Sequence, residues 1–596
     1  MINPARLSWR DGQPYAEDYQ DIYHAPDGPA EVRRVFLEPT GFDDLLGADR
    51  TLLVGELGFG TGLNFAVIAA ACVARGQRLH FVSVDRAPLS SDDFRQIARL
   101  RQSDFPVYQE LEHVYPPLLP GWHQRSLAGG QITLSLFWGE AADGIAQLVA
   151  EQRRPFSLWL LDGFAPDRNA DMWDQELLGN LAAVSRAGAG VATFTSAGRV
   201  RRALQAAGFA MRRVDQRPHK RESLAGTLTA STLQPFNPPS EVQIIGAGIA
   251  GASAARHLAE AGISVKVFDR AAIAAGASAI PATVMHGRLL GNQQPEGLLR
   301  AHAYLYARAY CASFDNHHPS DALHCTSVLQ VPSETYPIER LQTVAEQYST
   351  GGDWLSLADA DTASTIAGLT VDTPVLHFHD AWIVQTPLLC HKLLDHPNIQ
   401  FSVGQLAAWP DTPCIAACGT ASQSLPGAEY LEVAEVAGQI DVFTLDGART
   451  PQAALVGNGY VAPMQDTLAA GASYEYQPWP EREATATNTE HLHRLTGLGR
   501  ESVSWQGQYR GARSVSSDRL PIVGALYDRS GAAIADRYVS CGHGSMGTVM
   551  SHAAAVQLTA AILGDFLPLA GADRLLSPLR FRSRQARRGY KFAARD

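Results

Sequence analysis

The chain has 596 residues, 46% of them apolar and 18% charged, with a formal net charge of −11. That length predicts several hydrophobic cores rather than one, and the apolar fraction excludes intrinsic disorder, collagen and coiled coil. The acidic balance argues against a bulk nucleic-acid binder, and seven scattered cysteines without paired CxxC spacing argue against a zinc site or a disulfide scaffold.

Residues 1–13 lack the apolar stretch of a signal peptide, and no uninterrupted apolar run reaches the roughly 18 residues of a membrane span. A soluble cytoplasmic protein is expected, with no membrane or metal partner. Strands and helices alternate through the first part. The run Thr51–Leu57 is followed by a glycine-rich turn and a helix from about Leu63. Strands follow at Leu79–Val84, Ile132–Trp138, Phe156–Leu161 and Val191–Thr195. Phe209–Val214 and Leu224–Ala230 come without a helix between them. This predicts an α/β fold with a doubly wound sheet closed at one edge by an antiparallel hairpin. Three prolines between Leu233 and Ser240 then break the pattern. The expected organisation is a first domain over 1–235, a linker over 236–240 and a second domain over 241–596. The second opens with a βαβ unit, Val242 to Asp269, and ends with a glycine-rich loop feeding a helix over Gly547–Leu563. A nucleotide-binding domain interrupted by an α+β substrate domain is expected there.

The first turn, Glu56-Leu-Gly-Phe-Gly-Thr-Gly-Leu-Asn64, lacks the Lys-Ser/Thr of a triphosphate loop. Gly58, Gly60 and Gly62 bring a ligand close to a helix N-terminus. Glu56 would repel a pyrophosphate but suits a cationic amino-acid end. Asp85, at the next strand tip, is placed for ribose hydroxyls, and Glu140, after the following strand, for an adenine amino group. Acids at three strand ends favour S-adenosylmethionine over a dinucleotide. Asp162 ends the fourth strand, where it can orient an amine nucleophile and take up its proton or simply cap a helix. Phe164 and Trp173 can stack on a nucleobase or pack in the core.

Gly246, Gly248 and Gly251 follow a strand, open a helix, and are followed by Asp269 at the second strand tip. Strand, spacing and acid together make the dinucleotide fingerprint. There is one such fingerprint, so the second domain of an NADPH-reduced flavoenzyme is missing. A later stretch, Arg513 to Gly524, precedes the loop Ser540-Cys-Gly-His-Gly-Ser-Met-Gly547. With Gly544, Ser545 and Gly547 at a helix N-terminus, it can stabilise negative charge on a reduced flavin ring. The arrangement resembles the glycine oxidase and D-amino-acid oxidase family, and the resemblance implies FAD, oxidation of a C–N bond, and Arg513 as the anchor of a substrate carboxylate. His543 stands open between shaping the loop and taking part in chemistry; Cys325 and Cys541 are expected to be buried thiols rather than flavin links.

Taken whole, the chain is similar to the bifunctional tRNA 5-methylaminomethyl-2-thiouridine biosynthesis proteins. The match is carried by Glu56–Asn64, Leu161-Asp-Gly-Phe-Ala-Pro166, Asp171-Met-Trp173, Thr193–Gly198, Lys220-Arg-Glu222, Gly246–Gly251, Gly276-Ala-Ser278 and the stretch from Asp518 to Gly524. The resemblance implies a class I methyltransferase domain using S-adenosylmethionine and an FAD-dependent oxidoreductase domain, both acting on the wobble uridine of tRNA. It extends the cofactor-binding set to Gly276, Ser278 and Asp518, with Asp162 and Arg513 as the reacting-site residues. It also implies that two arginine clusters, Arg199 to Arg221 and Arg580 to Arg595, contact the anticodon arm, with a monomer expected. The rival reading is a fusion of a free N-alkyl amino acid oxidase with a small-molecule N-methyltransferase. A third is a tRNA-binding scaffold with dead sites.

Overall fold

The computed structural model describes residues 2–24, 27–164, 171–219, 221–234, 236–348, 354–406, 408–447, 449–569 and 571–587. Ala165, Pro166, Lys220 and the tail residues Arg588, Lys591 and Arg595 lie outside these, as does the side chain of Asp171. The chain forms two compact units, one of Met1–Pro238 with Ala560–Pro568, the other of Pro239–Thr559 with Leu569–Asp596. The change of unit falls between Pro238 and Pro239, inside the proline-rich stretch, and a short C-terminal segment returns to the first unit.

The described residues of the first unit build an eight-stranded sheet. Its strands run in the order Phe209–Asp215, Glu222–Leu228, Ser185–Thr193, Phe156–Leu161, Thr51–Leu57, Arg78–Asp85, Ile132–Trp138, Gly121–Leu127. The five central strands are parallel, and their side chains form near-continuous buried runs (Leu52, Leu53, Val54; Leu158, Trp159, Leu160, Leu161) because helices cover both faces. The doubly wound sheet and its hairpin are as expected. The antiparallel strand Gly121–Leu127 at the opposite edge and a small N-terminal sheet, Leu7–Arg10, Gln13–Ala16 and Asp21–Ile22, were not anticipated.

The returning segment completes this unit's core. Phe566 packs on Trp122, with ring centroids 4.3 Å apart. The buried Asp565 carboxylate pairs with Arg154 at 2.5 Å, takes a bond from Gln152 Nε2 at 3.1 Å, and lies 3.5 Å from His80 Nδ1. Burial alone would raise the Asp565 carboxyl, but Arg154 and His80 outweigh it and hold it well below the usual carboxylate range. Its stabilising effect is therefore present above the unfolded value near ~3.9 and is lost as pH falls below that. Asp565→Ala leaves Arg154 buried without its counter-charge, and a loss of about 3–5 kcal/mol of unfolding free energy is expected in denaturant titration of this unit.

In the second unit, a six-stranded sheet runs Ile399–Val403, Ser264–Asp269, Glu241–Ile245, Cys414–Ala416, Ala533–Cys541, Ile522–Tyr527, parallel except for the last pair. The helix Ile249–Glu260 completes the βαβ unit, and Gly547–Leu563 follows the glycine-rich loop. Between the two ends of this sheet the chain builds a second, mixed sheet dominated by the long pair Val433–Leu445 and Val503–Ser516. The interrupted nucleotide-binding domain is thus as expected. The stretch Gly544–Leu563, though interrupted by Ser551, His552 and Gln557, has the length and mean hydropathy, 1.3, of a membrane span, and 89% of its apolar window is buried in the fold, as in a core helix. Cys541 is buried, whereas Cys325 is exposed, so the expectation of a buried thiol is corrected there: its strand reaches the surface at that register.

Candidate active sites

In the first unit the Gly58–Gly62 turn links Thr51–Leu57 to the helix Leu63–Ala74. Gly58 has φ +93°, and a Cβ there would lie 2.6 Å from the carbonyl oxygen of Asp162, so only glycine lets the turn close on the neighbouring strand end. Glu56 is buried at the strand's end. Ser83 Oγ donates to its Oε2 at 2.7 Å and Asn64 Nδ2 donates to its Oε1 at 2.9 Å. Asn64 also donates to Asp162 Oδ2 at 2.6 Å. A hydrogen-bonded line, Ser83–Glu56–Asn64–Asp162, therefore crosses three adjacent strand ends. Burial pushes the Glu56 carboxyl well above its ordinary range, further raised by the negative charges of Asp162 and Asp85, against the two donors that favour ionisation.

Asp85 accepts from the backbone N–H of Gly60 at 2.9 Å and of Ala87 at 2.9 Å, which ties the second strand tip to the glycine turn; burial raises its carboxyl. Glu140 is not gathered into this group: it is exposed and lies 3.5 Å from Arg86. Asp162 caps no described helix. Asp174 does that work for Gln175–Ala183 by accepting from Glu176 N–H. Phe164 stacks on Tyr19, centroids 4.1 Å apart, with Tyr23 edge-on at 5.6 Å, while Trp173 is buried and donates to the Phe164 carbonyl. Tyr23 also packs on Gly60, where an added Cβ would meet its ring at 3.0 Å. Sequence reasoning missed both tyrosines because they sit in a short N-terminal segment without periodicity; their four-residue spacing among acids was the sole signal.

In the second unit the fingerprint glycines are dictated by contact. Gly246 has φ +111°, and a Cβ at Gly251 would lie 1.8 Å from the Gly246 carbonyl oxygen. Asp269 Oδ2 accepts from Ala247 N–H at 2.9 Å, and Ser278 Oγ accepts from Ile249 N–H at 3.0 Å, so both residues shape the loop itself. A Cβ on Gly248 would come within 3.1 Å of Ser278 Oγ, and one on Gly547 within 3.8 Å of Ile249, which brings the second glycine-rich loop, with Gly544 and Ser545, to the same helix N-terminus. Gly276 precedes the short turn containing Ser278.

The long strand pair meets this site through two facing glycines. Gly438 pairs with Gly511, and a Cβ on Gly511 would lie 3.3 Å from Ala277 Cα. Two residues along the same face, Arg513 lays its guanidinium over Gly438, where a Cβ would sit 2.0 Å from Nη1. Nη1 donates to the carbonyls of Ser473 and Ala437 at 3.2 and 3.4 Å, and the Tyr474 ring lies 5.5 Å away. Burial lowers the Arg513 pKa. Gly438 was not singled out from sequence, since a glycine inside a strand carries no address for the side chain it accommodates. His543 is buried, its Nε2 3.1 Å from Ser540 Oγ, and burial lowers it to about 4. The structure separates Asp518 from this group: its carboxylate is held by Arg580 at 2.9 Å and Arg584 at 2.8 Å. Arg582 donates to the Tyr527 carbonyl. Half of the C-terminal arginine cluster thus anchors its own helix. Among the described residues no three His, Cys, Asp or Glu side chains gather as a metal site.

A doubly wound sheet with acids at its strand tips, joined to a fingerprint βαβ domain carrying a large substrate sheet, defines a two-unit α/β protein of methyltransferase and flavin-oxidoreductase type. A family model described as S-adenosyl-L-methionine-dependent methyltransferase matches residues 104–229, and one described as FAD dependent oxidoreductase matches residues 241–398. The tRNA 5-methylaminomethyl-2-thiouridine biosynthesis bifunctional protein of Pseudomonas entomophila (strain L48) is 31% identical over 99% of both chains, and that of Thiobacillus denitrificans is 33% identical over 97% of this chain and 98% of its own. The chain belongs to this family of tRNA 5-methylaminomethyl-2-thiouridine biosynthesis bifunctional proteins. Among solved structures, the glycine oxidase of Bacillus cereus ATCC 14579 is 18% identical, with a TM-score of 0.46 over 55% of this chain and 95% of its own. The iminodiacetate oxidase of Chelativorans sp. BNC1 is 20% identical, with a TM-score of 0.47 over 56% and 99%.

Proposed function

We propose that the protein performs two consecutive steps on the wobble uridine of tRNA. The second unit removes the carboxymethyl group of 5-carboxymethylaminomethyl-(2-thio)uridine, and the first methylates the resulting aminomethyl group. The observation that carries this reading is the presence, in one chain alike over nearly its full length to the bifunctional proteins, of two intact constellations: Glu56–Asn64–Asp162 and the Gly246–Gly251 loop with Arg513.

The residues suit the groups the reaction needs. The buried Glu56, with Gly58, Gly60, Gly62 and Asn64, would hold the amino-acid end of S-adenosylmethionine, and Asp85 its ribose; Glu140 is assigned to the adenine, at the exposed rim. Gly246, Gly248, Gly251, Asp269, Gly276 and Ser278 would hold FAD, with Gly544, Ser545 and Gly547 at the flavin. The Nδ1 of His543, buried in this loop, has no hydrogen-bond partner among the described residues, which leaves it able to bond a ligand held there. Asp518 is committed to Arg580 and Arg584 of the last helix and is not assigned to the flavin. When bound, FAD accepts two electrons from the C–N bond and S-adenosylmethionine supplies the methyl group.

Arg513 holds the carboxylate of the carboxymethyl arm in a charge-assisted pair. Loss of hydride from the adjacent carbon and of the proton from nitrogen leaves an imine, which water cleaves to the aminomethyl uridine and glyoxylate. In the first unit Asp162, oriented by Asn64, directs the neutral amine and takes its proton as the C–N bond forms. The exposed arginines Arg199, Arg202, Arg212, Arg213, Arg217 and Arg221 would meet the anticodon arm, in a protein acting in the cytoplasm. Nucleoside analysis of tRNA incubated with the protein tests the reading. Without methyl donor the aminomethyl base should accumulate, with donor its methylated form; turnover of free glycine or sarcosine with no change in tRNA would overturn it.

Glu56 gives a separate expectation. Because burial raises its carboxyl, its contribution to stability is full below the unfolded value near ~4.3 and is lost as pH rises through the folded value. Glu56→Gln removes that loss and keeps the Asn64 bond, so the variant should melt higher than the parent at pH 8. It should also bind S-adenosylmethionine at least about tenfold more weakly by calorimetry, since the ammonium loses a charge-assisted partner.

A further inference from the structure

The segment Ser473–Tyr476 runs beside Ala437 in the second unit, with backbone bonds in both directions between Ala437 and Glu475 at 3.1 and 2.9 Å. Its inward side chain is locked. Glu475 accepts from Ser473 Oγ at 2.5 Å, Trp479 N–H at 2.9 Å and Arg510 Nη2 at 2.5 Å. Alternation then aims Tyr474 and Tyr476 the other way. Tyr474 lies against the Arg513 guanidinium, and Tyr476 packs edge-on to Tyr474 with centroids 5.5 Å apart. Tyr476 is 63% exposed, and its phenol oxygen accepts from the exposed Arg519 at 3.1 Å. A flat exposed ring fixed beside a guanidinium is what a stacked base requires.

We infer that Tyr476, steadied by Arg519, is the stacking platform for the pyrimidine ring of the wobble nucleotide while Arg513 holds its carboxylate. The inference rests on the proposed oxidation of tRNA and assigns the base-recognising residue of that site. The distances agree. Two 5.5 Å steps place the Tyr476 ring at most about 11 Å from the Arg513 guanidinium. A carboxylate joined through methylene, amine and methylene to a pyrimidine, plus one guanidinium–carboxylate contact, spans about 10 Å when extended. Tyr474 fills the wall between the two ends.

The test uses the full FAD-loaded chain and an anticodon stem-loop carrying 5-carboxymethylaminomethyluridine. Tyr476→Ala should raise KM about tenfold, within the range measured for a base on an aromatic ring, with kcat changed less than twofold. Tyr476→Phe should keep the parent KM to within about threefold, and Tyr476→Ala should keep the parent flavin absorption spectrum, which establishes that the second unit, where Tyr476 lies, is folded and loaded. Equal KM for parent and Tyr476→Ala, with both removing the group, overturns the platform alone. A parent enzyme that leaves the stem-loop unchanged overturns the oxidation on which the platform rests.

Discussion

Arg513→Ala is expected to abolish removal of the carboxymethyl group, lowering kcat/KM by about 10²–10⁴, while methylation of tRNA already carrying the aminomethyl base proceeds at the parent rate. The magnitude follows from what is lost. A guanidinium paired with a carboxylate forms two parallel charge-assisted hydrogen bonds, each worth about 1.5–3 kcal/mol. Both act on the group whose neighbouring carbon must face the flavin, so part of the loss falls on orientation and therefore on kcat. Gly438 shows that this position is built for arginine, because the guanidinium occupies space where a Cβ would lie 2.0 Å from Nη1. Lysine keeps the charge but not the planar fork, so Arg513→Lys should recover less than a tenth of the parent activity. Mass spectrometry of digested tRNA gives both activities in one assay, and an unchanged flavin spectrum in the variants would show that FAD binding is intact. An Arg513→Ala protein that removed the carboxymethyl group at the parent rate would leave the carboxylate without its assigned anchor.

The two units differ in how openly the sequence displays their sites. At Gly246, Gly248 and Gly251 the steric demand is local, within one turn and its own helix, so spacing alone exposes it. Glu56, Asp85 and Asp162 end consecutive or neighbouring parallel strands, and strand ends can be read from where apolar runs stop. The interaction that joins them, Asn64 between Glu56 and Asp162, links residues 98 positions apart and appears only once the strands are ordered. Asp518 shows the reverse limit. It stands next to a motif-bearing stretch, yet its carboxylate is committed to Arg580 and Arg584, more than 60 residues downstream. The same pairing changes the meaning of the C-terminal arginines, which read as an RNA-facing cluster until their partners are known. Gly438, Tyr19 and Tyr23 were illegible for a related reason: each matters through a side chain from a distant strand or loop. Asp565 is the extreme case, because no pattern within Ala560–Pro568 announces that it completes a core begun some 400 residues earlier.

Asp162→Ala should leave carboxymethyl removal intact and lower methyl transfer by about 10²–10⁴, the range for a positioned general base. Asp162→Asn separates the two duties of the carboxylate. Asparagine still offers an oxygen to Asn64 Nδ2, which now donates at 2.6 Å, so the orientation of the pair survives while the charge and basicity do not. If Asp162 only orients the amine, the asparagine variant should retain at least about a tenth of the parent rate; if it accepts the proton, the asparagine and alanine variants should fall together. The pH profile distinguishes these further, because a sulfonium is attacked only by the neutral amine. The parent rate should rise with pH until the amine is deprotonated, and the Asn variant should follow the same rise at a lower plateau. Single-turnover methylation of an aminomethyl stem-loop, followed from pH 6 to 9, measures both. The aminomethyl base should accumulate in tRNA treated with either variant plus methyl donor, since the second unit still delivers it. A variant that lost both steps together would show instead that the two sites do not work independently, and the assignment of one reaction to each unit would fail.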